Sequence, residues 1–338
     1  MPTKKENLVV VVDIGGTKVA AGLVDPSGKL LLKLRTPMVA RRSAAEGMQA
    51  VFDAVDGVFR DRRAKRASAI GVSVAGWVDS TCGVLLNATN IPCWRDFPLA
   101  RELKKRYGLP ARLGNDANTA ALAEAAWGAG AKYDSVFYVT LGTGIGSGFV
   151  VHKEIIAGPT GAAGEGGHMS IDFRGPQCGC GKRGCIELYA SGTAIAKRAR
   201  GRLANRVARR SKILALAGGQ RDTITSEIVF QAALDGDELA NSIVREAIEY
   251  LAIWLGNIVD LLEPEVIVFG GGLGQRILSC QRLIRYGWET WAINPRRRQV
   301  AMVAARYGSE SALVGAAALC MRRSPVWNRQ KSAKSANH

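Results

Sequence analysis

An α/β fold of two related domains flanking a cleft is predicted by three features of this 338-residue chain. First, an apolar strand, a turn rich in Gly and Thr and a second apolar strand occur near the start (8–24) and recur near the middle (135–151). Second, short buried-type strands alternate with amphipathic or alanine-rich helices, the pattern of a layered α/β domain. Third, the length suits two domains of ordinary size, and 47% hydrophobic with 22% charged residues suits a sizeable core. The repeat implies an internal duplication, and ligands favour clefts between domains.

In chain order, Leu8–Ile14 reads as a buried strand, Gly15-Gly16 as a turn, and Thr17–Val24 as the returning strand. Asp25-Pro26-Ser27-Gly28 is a turn before a strand over Leu30–Arg35. Met48, Val51, Phe52, Val55 and Phe59 share one stripe of a helix from about Ala44 to Arg62. Strands follow at Ala69–Val74 and Ala111–Leu113, with Ala75-Gly76-Trp77 as a loop and a helix at Leu99–Tyr107. An alanine-rich helix is expected over Thr119–Trp127, and a strand over Ser135–Leu141. The Gly142–Gly148 turn leads to the partner strand at Phe149–Val151. Further helices are expected at about Ser191–Leu216, Thr225–Asp235 and Glu238–Leu262. Strands at Val266–Phe269 and Val300–Ala304 and a small-residue helix at Ser311–Met321 complete the pattern. The expected domains are 1–116 plus about 305–322, and 117–304, with a basic tail at 323–338.

The formal net charge is +17. Much of the excess lies between Lys197 and Arg221 and at the end of the chain, at Arg322, Arg323, Arg329, Lys331 and Lys334. The first group reads as a solvated helix face. A nucleic-acid partner is the rival reading, and a basic surface also attracts anionic small molecules such as a nucleoside triphosphate. No apolar run reaches the roughly 18 residues of a membrane-spanning helix, and the first residues carry no signal-peptide pattern. A cytoplasmic protein with no membrane partner is expected.

His168, Cys178, Cys180 and Cys185 fall in one short Gly-rich stretch. Three thiolates and an imidazole form a tetrahedral set suited to structural zinc, and four protein ligands leave no open position for a catalytic water. A disulfide framework fits small secreted chains better than this one. Glu165 and Glu187 bracket the cluster. Carboxylates pair with vicinal hydroxyls, and a metal-bound His donates from its other nitrogen, so Glu165, His168 and Glu187 suit a polyhydroxylated ligand.

In Asp13-Ile14-Gly15-Gly16-Thr17-Lys18, Gly15 and Gly16 let backbone N–H groups approach an anion. Thr17 adds a hydroxyl, Lys18 a charge, and Asp13 can hold Mg²⁺ through water. Gly142-Thr143-Gly144 is the second such turn, so the pair reads as a phosphate clamp. Gly271 and Gly272, in Gly270-Gly271-Gly272-Leu273, allow a flat base against the backbone. Asn115-Asp116 precedes a helix, where Asp116 suits a general base and both residues suit N-capping. Gly76 joins Asn115, Asp116, Glu165, His168 and Glu187 as a candidate substrate residue.

These segments, with Gly-Glu-Gly-Gly-His and Cys-Gly-Cys-Gly-Lys-Arg-Gly-Cys-Ile-Glu, resemble the ROK family of sugar kinases and repressors. They stand in that family's order over roughly residues 8–320. The resemblance implies two ribonuclease-H-like domains of the actin/hexokinase type and ATP-dependent phosphorylation of a hexose at its 6-hydroxyl. It implies Asp116 as base, Asn115, Glu165, His168 and Glu187 as sugar ligands, and the four-ligand zinc. It also implies a homodimer or higher homo-oligomer. The Asn90–Asp96 segment resembles one in the family's glucokinases, which favours glucose. N-acetylmannosamine, N-acetylglucosamine and a non-catalytic sugar-binding role remain alternatives; the family's fructokinases differ in their cysteine and histidine arrangement. Many members carry Glu where this chain has Gly114. The family's repressors carry a helix-turn-helix ahead of the first Gly turn; with that turn starting at residue 13, no DNA-binding domain is expected.

Overall fold

The computed structural model describes residues 7–39, 43–88, 90–204 and 211–321. Arg206, Arg209, Arg210 and the basic tail from Arg322 lie outside them. The chain forms two compact units. One comprises the described residues within Met1–Tyr138, Gly148–Gly164 and Arg306–His338; the other comprises Val139–Ser147 and Glu165–Ala305. This packing division differs from the expected break near residue 116.

The first unit opens with β1 (Leu8–Ile14), β2 (Lys18–Val24) and β3 (Leu30–Pro37), followed by α1 (Ala44–Phe59) and β4 (Ala67–Val74). Next come β5 (Trp77–Asp79), β6 (Val84–Asn87), β7 (Arg95–Phe97), α2 (Leu99–Tyr107), β8 (Ala111–Asn115) and α3 (Asp116–Ala126). The main sheet has the order β3-β2-β1-β4-β8. β1 pairs antiparallel with β2 and parallel with β4, so it is central. Its apolar run follows from being covered on both faces. Val10, Val12 and Ile14 join a core with Met48, Val51, Val55 and Val58 of α1. Val9 and Val11 face the other way, onto Leu313, Ala316 and Ala317 near the end of the chain.

After β9 (Ser135–Leu141), β10 (Ile145–Val151) and β11 (Glu154–Ile155), the chain forms α4 (Glu187–Ala190) and α5 (Gly192–Arg202). Then follow α6 (Lys212–Leu216), α7 (Ser226–Leu234), α8 (Glu238–Leu262), β12 (Val266–Gly270), α9 (Gly274–Ser279), α10 (Gln281–Trp291), β13 (Ala301–Ala304) and α11 (Ser311–Met321). A second five-stranded sheet has the order β11-β10-β9-β12-β13. In α8 the side chain of Asp237 accepts the Ala240 N–H at the start, and Glu263 takes a left-handed conformation at the end.

α11 consists of small residues because its backbone passes close to its neighbours. A Cβ at Gly315 would fall on the carbonyl of Thr119 in α3, and one at Gly71 in β4 would meet the carbonyl of Ala316. Glu124, fully buried in α3, secures the returning chain. Its carboxylate accepts the N–H groups of Ala129 (2.9 Å), Arg306 (3.0 Å) and Tyr307 (2.9 Å) and the hydroxyl of Ser311 (3.0 Å).

Four local expectations are corrected. The helix expected from Ser191 to Leu216 is two helices, α5 and α6, around residues outside the description. α3 starts at Asp116, three residues early, because the side chain of Asn115 caps it. The second Gly/Thr turn is shorter than expected, since β10 already begins at Ile145. Trp77, expected in the Ala75-Gly76-Trp77 loop, instead begins β5 of a small β5-β6-β7 sheet. Among the described residues, no helix is long and apolar enough to cross a membrane.

Candidate functional site

In the first unit, Asp13 stands at the end of β1 beside Ser73 of β4 and accepts its hydroxyl at 2.8 Å. Burial pushes the Asp13 carboxyl up from its ordinary range, while the Ser73 bond and the Lys18 charge pull the other way. A hard, oxygen-seeking cation beside it would relieve that cost, so the donor chemistry fits Mg²⁺. The turn closes with the Gly15 N–H donating to the Lys18 carbonyl at 3.0 Å, and Thr17 and Lys18 are exposed. Gly16 is required by a close approach: a Cβ there would stand 2.6 Å from the carbonyl oxygen of Asn90.

Asn115 and Asp116 are set by the β8–α3 junction. The Asn115 Oδ1 accepts the N–H groups of Ala117 (2.9 Å) and Asn118 (3.2 Å), and its Nδ2 donates to the Gly76 carbonyl at 3.2 Å. Gly76 is thereby tied to the start of α3. Asp116 occupies the first turn, where the helix dipole favours a carboxylate. Its Oδ1 accepts the Ala117 N–H at 2.9 Å, and its carbonyl accepts the Thr119 hydroxyl at 2.9 Å. A cavity of about 440 Å³ runs along the outer edge of β8; of the candidate residues it touches only Asn115.

In the second unit, the start of β10 is the shared support. Gly142-Thr143-Gly144 leads into Ile145, whose N–H donates to the Glu187 Oε2 at 3.0 Å. The Ser147 hydroxyl accepts the Gly166 N–H at 3.1 Å, and a Cβ at Gly167 would fall on the Ile145 carbonyl. Glu165 and His168 therefore flank residues that lie directly against β10. On its other side the turn is held by the Gly192 N–H, which donates to the Gly142 carbonyl at 2.7 Å. Gly271 has φ +77°, and the Leu273 N–H donates to the Leu141 carbonyl at 2.9 Å, which sets the Gly271–Gly272 loop beside the same turn.

The donor atoms of His168, Cys178, Cys180 and Cys185 all lie within 4.8 Å of one another. Cys178 Sγ is 3.7 Å from His168 Nδ1, and Cys180 Sγ is 3.6 Å from Cys185 Sγ. These match the roughly 3.5–3.8 Å edges of a tetrahedron built on metal–ligand bonds of ~2.0–2.3 Å, so the set fits zinc. Burial and its thiol neighbours push Cys185 up to about 12. Burial also acts upward on Cys180, but hydrogen bonds from the Lys182 backbone and the neighbouring thiols bring it down. A bound cation would favour the thiolate form of Cys185 against that burial. The Lys182 ammonium donates to the His168 carbonyl at 2.7 Å and steadies the loop.

Ser73, Ser147, Gly192 and Glu124 were not singled out in the sequence. Ser73 carried a faint signal as a hydroxyl in an apolar strand, and Glu124 as a lone acid in an alanine-rich helix. The partners of Ser147 and Gly192 are tertiary, and no spacing reveals them.

The described residues thus give an α/β chain of two units with two Gly/Thr turns, a carboxylate at a helix start and a His/Cys₃ cluster. The model of the ROK family matches residues 9–323, and the chain belongs to that family. It is 35% identical over 320 residues to a glucokinase of Streptomyces coelicolor, covering 94% of this chain and 99% of that one. It is 30% identical over 314 residues to an N-acetylmannosamine kinase of Yersinia pseudotuberculosis, covering 91% and 96%. Among solved structures it resembles a ROK family glucokinase of Streptomyces griseus in complex with glucose and AMPPNP. That match has a TM-score of 0.77 and 35% identity, and covers 92% of this chain and 98% of that one. The chain thus has the actin-like, two-domain α/β fold of ROK glucokinases.

Proposed function

We propose that this protein is an ATP-dependent glucokinase, transferring the γ-phosphoryl group of ATP to the 6-hydroxyl of glucose. The observation that carries the reading is 35% identity across nearly the whole length of a glucokinase, together with Asn115-Asp116 at the start of α3. In this reading Asn115, Glu165, His168 and Glu187 hold the sugar hydroxyls, and Gly76 lines the sugar. Asp116 accepts the proton of the 6-hydroxyl as its oxygen attacks phosphorus. The phosphates of ATP lie on Gly15, Gly16, Thr17 and Lys18 and on Gly142, Thr143 and Gly144, with the base near Gly271 and Gly272. Asp13 would hold Mg²⁺, which neutralises phosphate charge. His168, Cys178, Cys180 and Cys185 would hold zinc, which stiffens the loop between Glu165 and Glu187. Zinc thiolates persist in a reducing compartment, which supports a cytoplasmic setting.

Phosphorylation of N-acetylmannosamine is the second reading, favoured by the 30% identity to a kinase of that sugar. ADP release from ATP over glucose, mannose, fructose, N-acetylglucosamine and N-acetylmannosamine separates them. The highest kcat/KM is expected on glucose. A higher value on N-acetylmannosamine would move the assignment to that sugar, and no ADP release on any hexose would refute a kinase.

A further inference from the structure

The bond between Glu187 and Ile145 has a consequence beyond sugar recognition. We infer that Glu187 is a positioning residue for the nucleotide: its Oε2 pins the exit of the Gly142–Gly144 turn and links the sugar subsite to the phosphate subsite. The inference rests on the kinase reading for the identity of the two ligands.

Three observations carry it. The Ile145 N–H, the first backbone donor after the turn, is spent on the Glu187 Oε2 at 3.0 Å. A Cβ at Gly144 would fall on that same oxygen, so glycine there makes room for the carboxylate as well as for phosphate. The segment that carries Glu187 continues to Gly192, whose N–H holds the Gly142 carbonyl at 2.7 Å. Both ends of the turn thus hang on the short stretch leaving Cys185. Phosphate binding by backbone N–H groups depends on their being held in place beforehand, and loss of either anchor widens the ensemble that binding must order. A sugar hydroxyl on the other carboxylate oxygen would fix the same side chain. The two ligands should therefore favour each other, by an equal factor in each direction.

Binding measured by calorimetry, apart from turnover, tests this. In the Glu187→Ala variant, ADP·Mg²⁺ should bind about tenfold more weakly than in the wild type with no sugar present. The Glu187→Gln variant keeps an oxygen that can accept the Ile145 N–H. It should hold ADP within about twofold of wild type while glucose binding weakens about tenfold or more. Gly144→Ala pushes on the carboxylate from the turn side, so it should weaken glucose binding about fivefold with no nucleotide present; this measurement decides the matter if Glu187→Ala does not fold. Unchanged ADP affinity in folded Glu187→Ala, or unchanged glucose affinity in Gly144→Ala, would overturn the inference. A wild-type protein that binds ADP but phosphorylates no hexose would instead refute the kinase reading, and the Glu187→Ala comparison on ADP would still stand.

Discussion

The Nδ2 of Asn115 donates to the Gly76 carbonyl at 3.2 Å while its Oδ1 caps α3, so one amide fixes both the loop after β4 and the helix that carries Asp116. The two halves of that amide are separable. Asn115→Asp keeps an acceptor for the helix N–H groups and places a carboxylate oxygen against the Gly76 carbonyl. Stability should change by less than about 1 kcal/mol, the scale of a helix cap. Turnover should fall at least about tenfold through the lost tether. Urea unfolding and steady-state kinetics on the same preparation check this, and an active Asn115→Asp enzyme would show that the tether is dispensable.

Asp13 carries a cost that its function would justify. Burial raises its pKa above the ordinary 3.8, so at neutral pH this side chain destabilises the folded chain relative to the unfolded one, which keeps its carboxylate in water. Asp13→Asn should therefore raise the melting temperature near pH 7 in the absence of Mg²⁺. The gain should fade as pH falls through the raised pKa, because the wild-type carboxyl is then neutral in the folded state. The same substitution should lower kcat with ATP·Mg²⁺. A variant that melts lower than wild type at neutral pH would contradict this account.

Glu124 predicts stability with no role in chemistry. Glu124→Ala leaves three backbone N–H groups and the Ser311 hydroxyl without their shared acceptor. Hydrogen bonds to charged groups contribute about 1.5–3 kcal/mol each and act together here, so a loss of about 3 kcal/mol or more is expected. Denaturant unfolding measures it; the KM for glucose well below the transition should stay near wild type.

The metal loop makes a compositional prediction. Purified wild-type protein should contain one zinc per chain, and Cys178→Ser should lose most of it. Loss of about 3 kcal/mol of loop stabilisation would lower the melting temperature by roughly 4 °C in a chain of this size. Elemental analysis with a thermal scan is sufficient. A metal-free wild-type protein of full stability would exclude a structural zinc.

The sequence made the core and the motifs legible where a local pattern exists. The apolar run of β1, the one-sided stripe of α1 and the small residues of α11 each state their packing in their own residues. The cysteine spacing likewise placed four donors together. Short strands gave no such signal: β5 and β7 have three residues each, too few to display a period. α10 was missed because it buries only Ile284 and Trp288, while its other large apolar residues, Leu283, Tyr286 and Trp291, are exposed and blur the pattern. The candidate residues were visible as types, but their support was not. That Glu187 reaches Ile145, or Asp13 reaches Ser73, depends on segments 42 and 60 residues apart in sequence meeting in the fold.

The most direct measurement compares ADP release by wild type and Asp116→Asn on glucose with saturating ATP·Mg²⁺, alongside glucose binding by both. The account predicts kcat at least ~10²-fold lower in the variant, the usual effect of removing a general base, with glucose affinity within a few-fold of wild type. Turnover near the wild-type rate in a folded, glucose-binding Asp116→Asn protein would contradict it.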